Sequence, residues 1–322
     1  MGLAIMVSSY SIEVVMPTYN GIDFVEAQIA SIYNQTLRPS KLIIRDDFST
    51  DGTTQLLAKL AVKYQNWIKI LPSYENIGCT SSIDLLLSST CAPYVALADQ
   101  DDIWLPHKLE LSFNHIVALE ARVTSSIPLL IHSDLQLVGE NLNDLGETYS
   151  QRQCLKPYLD SPSMIALTNV VTGCTILCNR ALLDVALPLP VDALVHDWWL
   201  ALVSSVFGKI VYISDTPILY RQHEKNSIGA RGLGLNYWLT RLYSWLCYSS
   251  SGGHTLDAIH QMEYFYSRYH IKVSCLPDLI RLSRVHRLTS LLNTPFSLWP
   301  CKHGILRTLA FYFWFFRFRA LL

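Results

Sequence analysis

The chain has 322 residues, half of them hydrophobic and only 16% charged, which is enough apolar content to bury a sizeable core in one large domain, or one domain plus an extension. The formal net charge is −1, yet residues 1–220 carry 12 Lys and Arg against 22 Asp and Glu, and residues 221–322 carry 13 against 4. An acidic body with a basic, aromatic end suggests a catalytic part and a part that meets an anionic surface; no recognised nucleic-acid motif occurs, so nucleic acid is not the expected partner.

In chain order, Ile12 to Met16 reads as a first strand, stopped by the turn residues Pro17-Thr18-Tyr19-Asn20-Gly21. Val25, Ile29 and Ile32 then recur at helical spacing, which predicts a helix from Asp23 to about Asn34. A second strand, Lys41 to Arg45, runs directly into Asp46-Asp47-Phe48-Ser49-Thr50-Asp51-Gly52. Leu56, Leu57, Leu60, Ala61 and Tyr64 predict the next helix, with Thr50 or Asp51 as its cap. Ile68 to Leu71 is a third strand, and the turn Glu75-Asn76-Ile77-Gly78-Cys79-Thr80 leads into a helix through Leu87. The fourth strand, Tyr94 to Ala98, ends in Asp99-Gln100-Asp101-Asp102. Carboxylates this crowded repel one another unless something positive sits among them, and a hard divalent cation, which prefers oxygen ligands, is the simplest candidate.

This strand–helix alternation predicts a mostly parallel sheet covered by helices. Acids follow the second and fourth strands; if those strands are neighbours, both acidic turns open on one edge of the sheet, where such folds bind ligands. Neither GxGxxG nor GxxxxGK[ST] occurs, so dinucleotide and P-loop fingerprints are absent. Pro106 suits the first turn of a helix that continues to about Arg122. Leu129 to Ile131 is a strand ending in His132-Ser133-Asp134, and residues 139–163 read as a mobile, polar loop over the site. Thr175 to Cys178 reads as a strand, followed by a helix from Arg180. His196-Asp197-Trp198-Trp199 opens an apolar helix through Phe207. Asp197 beside two tryptophans is either a water-shielded general base or a helix N-cap. After the strands Ile210–Ile213 and Ile218–Tyr220, His223 is either a metal ligand or a surface histidine.

The eight cysteines are scattered without a CxxC, so neither a zinc site nor a redox pair is signalled. The N-terminus lacks a charged segment followed by a long apolar run, and Met6 stands where a myristoylation signal needs Ser or Thr. Free thiols and no export signal lead to the expectation of a cytoplasmic protein.

Pro17-Thr18-Tyr19-Asn20, Asp46 to Asp51, Asp99-Gln100-Asp101-Asp102-Ile103-Trp104, His196-Asp197-Trp198-Trp199 and Tyr220-Arg221-Gln222-His223, in this order, resemble glycosyltransferase family 2, with the GT-A fold. The likeness covers about residues 10–230 and is greatest to the rhamnosyltransferase-like members of bacterial surface polysaccharide synthesis. It implies an inverting transfer from a nucleoside-diphosphate sugar, dTDP-rhamnose being favoured over a UDP-hexose, with Mg²⁺ or Mn²⁺ as cofactor. By position, Pro17, Tyr19 and Asn20 would border the nucleotide, Asp46 or Asp47 would meet the base, and Asn76 and Gly78 would lie near the ribose or diphosphate. Asp101 would hold the metal, Asp99 the ribose or a metal-bound water, and His223 the metal or diphosphate. Asp197 would be the general base on the acceptor hydroxyl; Gly173, Cys174, Thr175, His196, Trp198 and Trp199 would line the acceptor side. A cation beside the leaving diphosphate and a base on the opposite face of the sugar suffice for a single displacement. The chain lacks Gln-x-x-Arg-Trp and an apolar span of about 20 residues, which argues against a processive, membrane-threading synthase.

The expected division is a catalytic domain over residues 1–230 and a helical extension over 231–322. In the latter, Tyr237-Trp238, Tyr243, Trp245 and Tyr248 lie among arginines, and 306–319 is apolar with cationic punctuation. Such segments lie in the interface of anionic membranes or pack on the domain beside them. A peripheral position on the inner face of the cell membrane, serving a lipid-linked glycan acceptor, is the expectation. The alternative from another class is a non-catalytic module that binds sugar nucleotides or membrane, against which the intact Asp101, Asp197 and His223 set argues.

Overall fold

The computed structural model describes residues 10–223, except 159, 167 and 192, together with 253–270. The expected extension therefore lies outside the described residues, save for one helix. The described residues fall into two compact units. The first runs to Tyr149 and takes in Val171–Val191 and the chain from Val195; the second takes in Ser150–Val170, Leu194 and the later helix.

In the first unit, β1 (Ile12–Thr18), α1 (Val25–Tyr33), β2 (Lys41–Asp46), α2 (Thr53–Lys63), β3 (Ile68–Leu71), α3 (Cys79–Ser88) and β4 (Tyr94–Leu97) alternate as their periodicity predicts. Then follow β5 (Ile103–Trp104), α4 (Lys108–Glu120), β6 (Leu129–Ser133), β7 (Gln136–Gly139) and β8 (Asp144–Thr148). After the short helices α5 (Tyr149–Arg152) and α6 (Pro162–Ile165), which lie almost wholly in the second unit, the first unit resumes with a 3₁₀ turn at Gly173–Thr175, then β9 (Leu177–Asn179), α7 (Arg180–Ala186), α8 (His196–Phe207), β10 (Lys209–Ile213) and β11 (Ile218–Gln222). The separate helix α9 is Gly253–Tyr269.

Seven strands form one sheet in the order β10-β6-β9-β4-β1-β2-β3. All its pairs are parallel except those of β9, which runs antiparallel to both β4 and β6. The sheet is therefore mixed but mostly parallel. Its central strands are apolar on both faces because helices cover both: Val14, Val15, Met16, Ile43, Ile44, Val95 and Leu97 are all buried. In α1 the buried stripe is Val25, Ile29 and Ile32, joined by Gln28. A second sheet of four short strands, β5-β11-β7-β8, joins sequence-distant segments.

Several expectations need correction. Strands β2 and β4 are not neighbours; β1 lies between them, paired in parallel to each. The acidic turns still reach one edge, because three adjacent parallel strands all end there. Residues 139–163 are not one loop: Asp144–Thr148 pairs antiparallel with β7, Gln136 opposite Thr148 and Val138 opposite Asp144. The strand is mostly exposed and polar, so it carries no period-2 apolar signal. Thr175 belongs to the 3₁₀ turn rather than to a strand, since its amide bonds back to Thr172 O at 3.0 Å. Pro106 precedes α4, whose cap position is His107. Gly52, in the left-handed region at φ 99°, takes the cap position of α2, so neither Thr50 nor Asp51 caps it. Asp197 is likewise no N-cap, since Val195 holds that place and Asp197 lies in the first turn of α8.

In the second unit, α9 buries Ala258, Met262 and Phe265, and the Leu194 amide donates to Gln261 Oε1 at 3.0 Å. Among the described residues, no helix is long and apolar enough to cross a membrane.

Candidate active site

At the end of β1 the chain leaves the sheet through Tyr19 and Asn20, the latter at φ 48°. Three hydrogen bonds tie this turn to the one after β2: Asp47 N to Thr18 O (2.7 Å), Asn20 N to Ser49 Oγ (2.8 Å) and Thr50 N to Asn20 Oδ1 (2.8 Å). Pro17 lies within β1, while Tyr19 is half exposed at the rim.

The carboxylates of Asp46 and Asp47 are buried and used inside the chain. Asp46 accepts from the hydroxyls of Thr18 (2.9 Å), Ser49 (2.6 Å) and Thr54 (2.5 Å). Asp47 accepts from the amides of Ile77 (2.9 Å) and Gly78 (2.8 Å) and is paired with the buried Arg45 guanidinium. Burial alone would raise the Asp47 pKa, but those amides and Arg45 outweigh it and hold the carboxyl below its ordinary 3.8. Asp47 thereby fixes the turn before α3, where Asn76 Oδ1 also meets the Gly78 amide at 3.2 Å and Gly78 takes φ 81°.

The acidic turn after β4 is held from both sides. Gln28 Nε2 on α1 donates to Asp99 O at 2.9 Å. From β11, Arg221 Nε donates to Asp101 O (2.9 Å), the Arg221 amide meets Asp102 Oδ1 (3.4 Å), and His223 Nε2 lies 2.9 Å from Asp101 Oδ2. Arg221 also donates to Glu140 O. The Phe24 ring stacks on the His223 ring.

Two acids of this turn are shifted, by burial first and by their neighbours' charges second. Asp99 is pushed up to about 7, first by loss of water and then by the charges of Asp101 and Asp197. Asp102 is raised well above the carboxylate range by burial, then by Asp101 and Asp99. Asp102 Oδ2 is buried without a hydrogen-bond partner. Asp99, Asp102 and the Cys174 thiol each bring a ligand atom within 4.8 Å of the others. Burial holds that thiol well above its ordinary pKa, so it stays protonated. A buried carboxylate oxygen without a hydrogen-bond partner, in a set dominated by carboxylates, suits a hard divalent ion such as Mg²⁺ or Mn²⁺.

Across from this turn, the Gly173 amide donates to Asp197 Oδ2 at 3.0 Å. Asp197 is 8% exposed and sits at the positive end of α8, which favours a carboxylate. Gly173 packs so closely that a Cβ there would lie 2.7 Å from His196 Nε2. Burial lowers the His196 pKa against the pull of Asp197, so the ring is neutral near pH 7. Trp198 is half-buried, whereas Trp199 is a core residue whose Nε1 donates to Ala186 O at 3.0 Å. Thr175 Oγ1 bonds to Thr172 O at 2.6 Å and shapes the 3₁₀ turn.

The sequence reading missed Arg45, Gln28, Gln100, Phe24 and Arg221. It also missed Cys79, whose thiol is pushed up to about 12 by burial first and then by the charges of Asp99, Asp197 and Asp47. Gln100 and Arg221 stand inside quoted motifs but carried no role of their own; Gln28, Phe24 and Cys79 meet their partners only through tertiary contacts, and Arg45 gives no sign in the sequence that its charge is buried against Asp47 two residues on.

Comparison with known proteins bears on the family and the fold. The model of glycosyl transferase family 2 matches residues 13–156. The dTDP-rhamnosyl transferase RfbG of Shigella flexneri is 28% identical over 220 residues, 67% of this chain and 74% of the relative. A cholesterol galactosyltransferase of Borreliella burgdorferi is 33% identical over 121 residues, 38% of this chain but only 33% of the relative. Among solved structures, S. aureus TarS residues 1–349 in complex with UDP-GlcNAc aligns with a TM-score of 0.51 at 17% identity, over 87% of this chain and 77% of that one. The mannosyltransferase PcManGT from Pyrobaculum calidifontis, in complex with GDP-Man and Mn²⁺, aligns with a TM-score of 0.52 at 16% identity, over 79% and 64%. At these identities the two structures speak for the fold. Residues 13–156 thus match the model of glycosyl transferase family 2, and the chain is an enzyme of the glycosyl-transferring type built on the GT-A fold.

Proposed function

We propose that the chain is an inverting, metal-dependent transferase that moves rhamnose from dTDP-rhamnose to a hydroxyl of a lipid-linked surface glycan. The observation that carries the reaction type is Asp197: its carboxylate is anchored by the Gly173 amide and stands near enough to Asp99 to raise its pKa. A base and a diphosphate-side acid turn within electrostatic reach of one another suit a single displacement.

In this reading Tyr19 and Asn20 border the nucleotide, and Asp46 and Asp47 act there by fixing the turns that receive it. Asn76 and Gly78 present backbone at the start of α3. Asp101, Asp99 and His223 would hold the divalent ion, with Asp102 and Cys174 beside Asp99. When bound, that ion neutralises the charge gathering on the departing diphosphate. Asp197 takes the proton of the acceptor hydroxyl as the oxygen attacks the anomeric carbon. Gly173, Cys174, Thr175, His196 and Trp198 shape the acceptor side. The donor assignment rests on the likeness to the Shigella flexneri rhamnosyl transferase. The likeness to a galactosyltransferase supports a UDP-hexose as the second reading.

Residues 1–230 form the catalytic part. The excess of 13 Lys and Arg over 4 Asp and Glu in 221–322, with its aromatics, supports peripheral attachment to the inner face of an anionic membrane, where a lipid-linked acceptor resides.

The test is a thermal-shift panel of dTDP, UDP, GDP and CDP, each with and without Mn²⁺, because ligands of the native state raise its apparent stability. A shift with dTDP and metal is the expected result, and a shift with UDP and metal alone moves the donor to a UDP-hexose. No shift with any nucleotide overturns the donor site.

A further inference from the structure

We infer that Phe24 is a positioning residue for the metal side of the site: its ring is the platform that holds His223 against Asp101. This rests on the proposed metal reading and adds a residue from outside the motifs that suggested it.

The Phe24 and His223 rings stack with centroids 4.6 Å apart and 25° between planes. The Arg221 guanidinium carbon lies 4.9 Å from the centroid of the same phenyl ring. Both partners of Phe24 bond Asp101, Arg221 through Nε to the carbonyl oxygen and His223 through Nε2 to the carboxylate, each at 2.9 Å. One phenyl ring thus touches the two side chains that fix Asp101. His223 follows the last residue of β11, so its ring plane is not dictated by the strand. The stacked phenyl ring is a planar partner suited to set it, beside the bond to Asp101.

Phe24 is itself well fixed. Its amide donates to Gly21 O at 3.0 Å, and its carbonyl accepts from Ala27 N (3.1 Å) and Gln28 N (3.2 Å) at the start of α1. Four residues on, Gln28 donates to Asp99 O. The segment after the nucleotide turn therefore grips the acidic turn twice: Gln28 at Asp99 directly, and Phe24 at Asp101 through His223. Partners that orient a ligand ring typically change metal affinity 10- to 100-fold when removed, about the effect expected here.

The experiment titrates Mn²⁺ into the full chain without sugar or nucleotide, reading free Mn²⁺ by electron paramagnetic resonance. Phe24→Leu keeps apolar bulk but removes the planar face; Phe24→Tyr keeps the face. Phe24→Leu is expected to weaken Mn²⁺ binding about tenfold while Phe24→Tyr binds as the parent does, with melting temperatures similar throughout. In a His223→Ala background, Phe24→Leu should cause no further loss. Unchanged affinity in Phe24→Leu overturns the inference, as does an equal loss in the His223→Ala background. Should Phe24→Leu fail to fold, Phe24→Met takes its place under the same criteria. A parent chain that binds no Mn²⁺ at millimolar concentration overturns the metal reading itself. That outcome is distinct from a parent that binds and a Phe24 variant that binds equally.

Discussion

The side-chain amide of Gln100 pairs with the backbone of Tyr19 as a strand would: Tyr19 N donates to Oε1 and Nε2 donates to Tyr19 O, both at 2.9 Å. The residue between Asp99 and Asp101 thus closes the turn after β1. Gly21 lies directly under it, and a Cβ there would overlap the Gln100 amide oxygen. Gly21→Ala should therefore cost donor affinity by pushing Gln100 off Tyr19. Gln100→Ala should cost a similar amount, and adding Gly21→Ala to it should cost little more. Nucleotide titration across the four proteins measures the coupling, which contacting residues express as roughly 0.5–3 kcal/mol. Additive losses would place the two residues in separate roles.

Asp47 presents a different case, since its carboxylate is an anchor within the fold. Removing one partner of a buried ion pair typically costs about 3–5 kcal/mol, because the other charge is stranded. Asp47→Ala strands Arg45, which is 3% exposed, and frees the amides of Ile77 and Gly78. A urea melt should show a loss of that order. Asp101→Ala, at a half-buried turn, should melt close to the parent while losing transfer. Equal melts for Asp47→Ala and the parent would refute the anchoring role.

The two cases mark where the sequence was legible. Strands β1 to β4 and their helices could be read because their apolar residues keep one period and their turns keep Gly, Pro and Asp. The acids at 46–47, 99–102 and 197 could be picked out by crowding or by their neighbours. Their division into anchors and site groups could not, since it depends on Arg45, Thr54 and the amides of Ile77 and Gly78. The second sheet was also hidden, because a two-residue strand such as Ile103–Trp104 has no period. Cys174 meets Asp99 and Asp102 only because β9 pairs with β4 across more than 70 residues of chain.

For the chemistry, Asp197→Asn is the sharpest test. The amide side chain can still meet the Gly173 N–H through its oxygen but cannot take a proton at neutral pH. The turnover rate should fall by about 10²–10⁴, the usual worth of a general base, with nucleotide-sugar affinity preserved. Product release assays at saturating donor check this, and an undiminished rate would remove Asp197 as the base. Gly173→Ala should show a smaller loss in the same parameter, because its Cβ would press on His196 Nε2 and come within 3.5 Å of Asp197 Oδ2.

Lys108 gives a prediction about stability and pH. Its side chain is fully buried, its ammonium nitrogen has no hydrogen-bond partner, and it lies 3.8 Å from the centroid of the Trp104 ring. Burial lowers its pKa from 10.5 to about 7, with the Cys174 sulfur pulling weakly the other way. Between those two values the unfolded chain holds a proton that the folded chain has released. Stability must then rise with pH across that window, because the unfolded state binds more protons there. Below about 7 the full penalty of a buried charge remains; above 10.5 both states are neutral and it is gone. Thiols such as Cys79, raised to about 12, and the raised carboxyls of Asp99 and Asp102 titrate against this trend, so the parent is read only against a variant that shares them, from pH 7 to 9. Lys108→Met keeps the length and the contact with Trp104 without the charge. Its denaturant midpoint should exceed the parent's at pH 7, and the gap should narrow as pH rises, by at most about 1.4 kcal/mol per pH unit. A gap that stays constant from pH 7 to 9 would mean that the Lys108 amine is charged in the fold throughout. Trp104 would then be a sufficient partner for a fully buried ammonium.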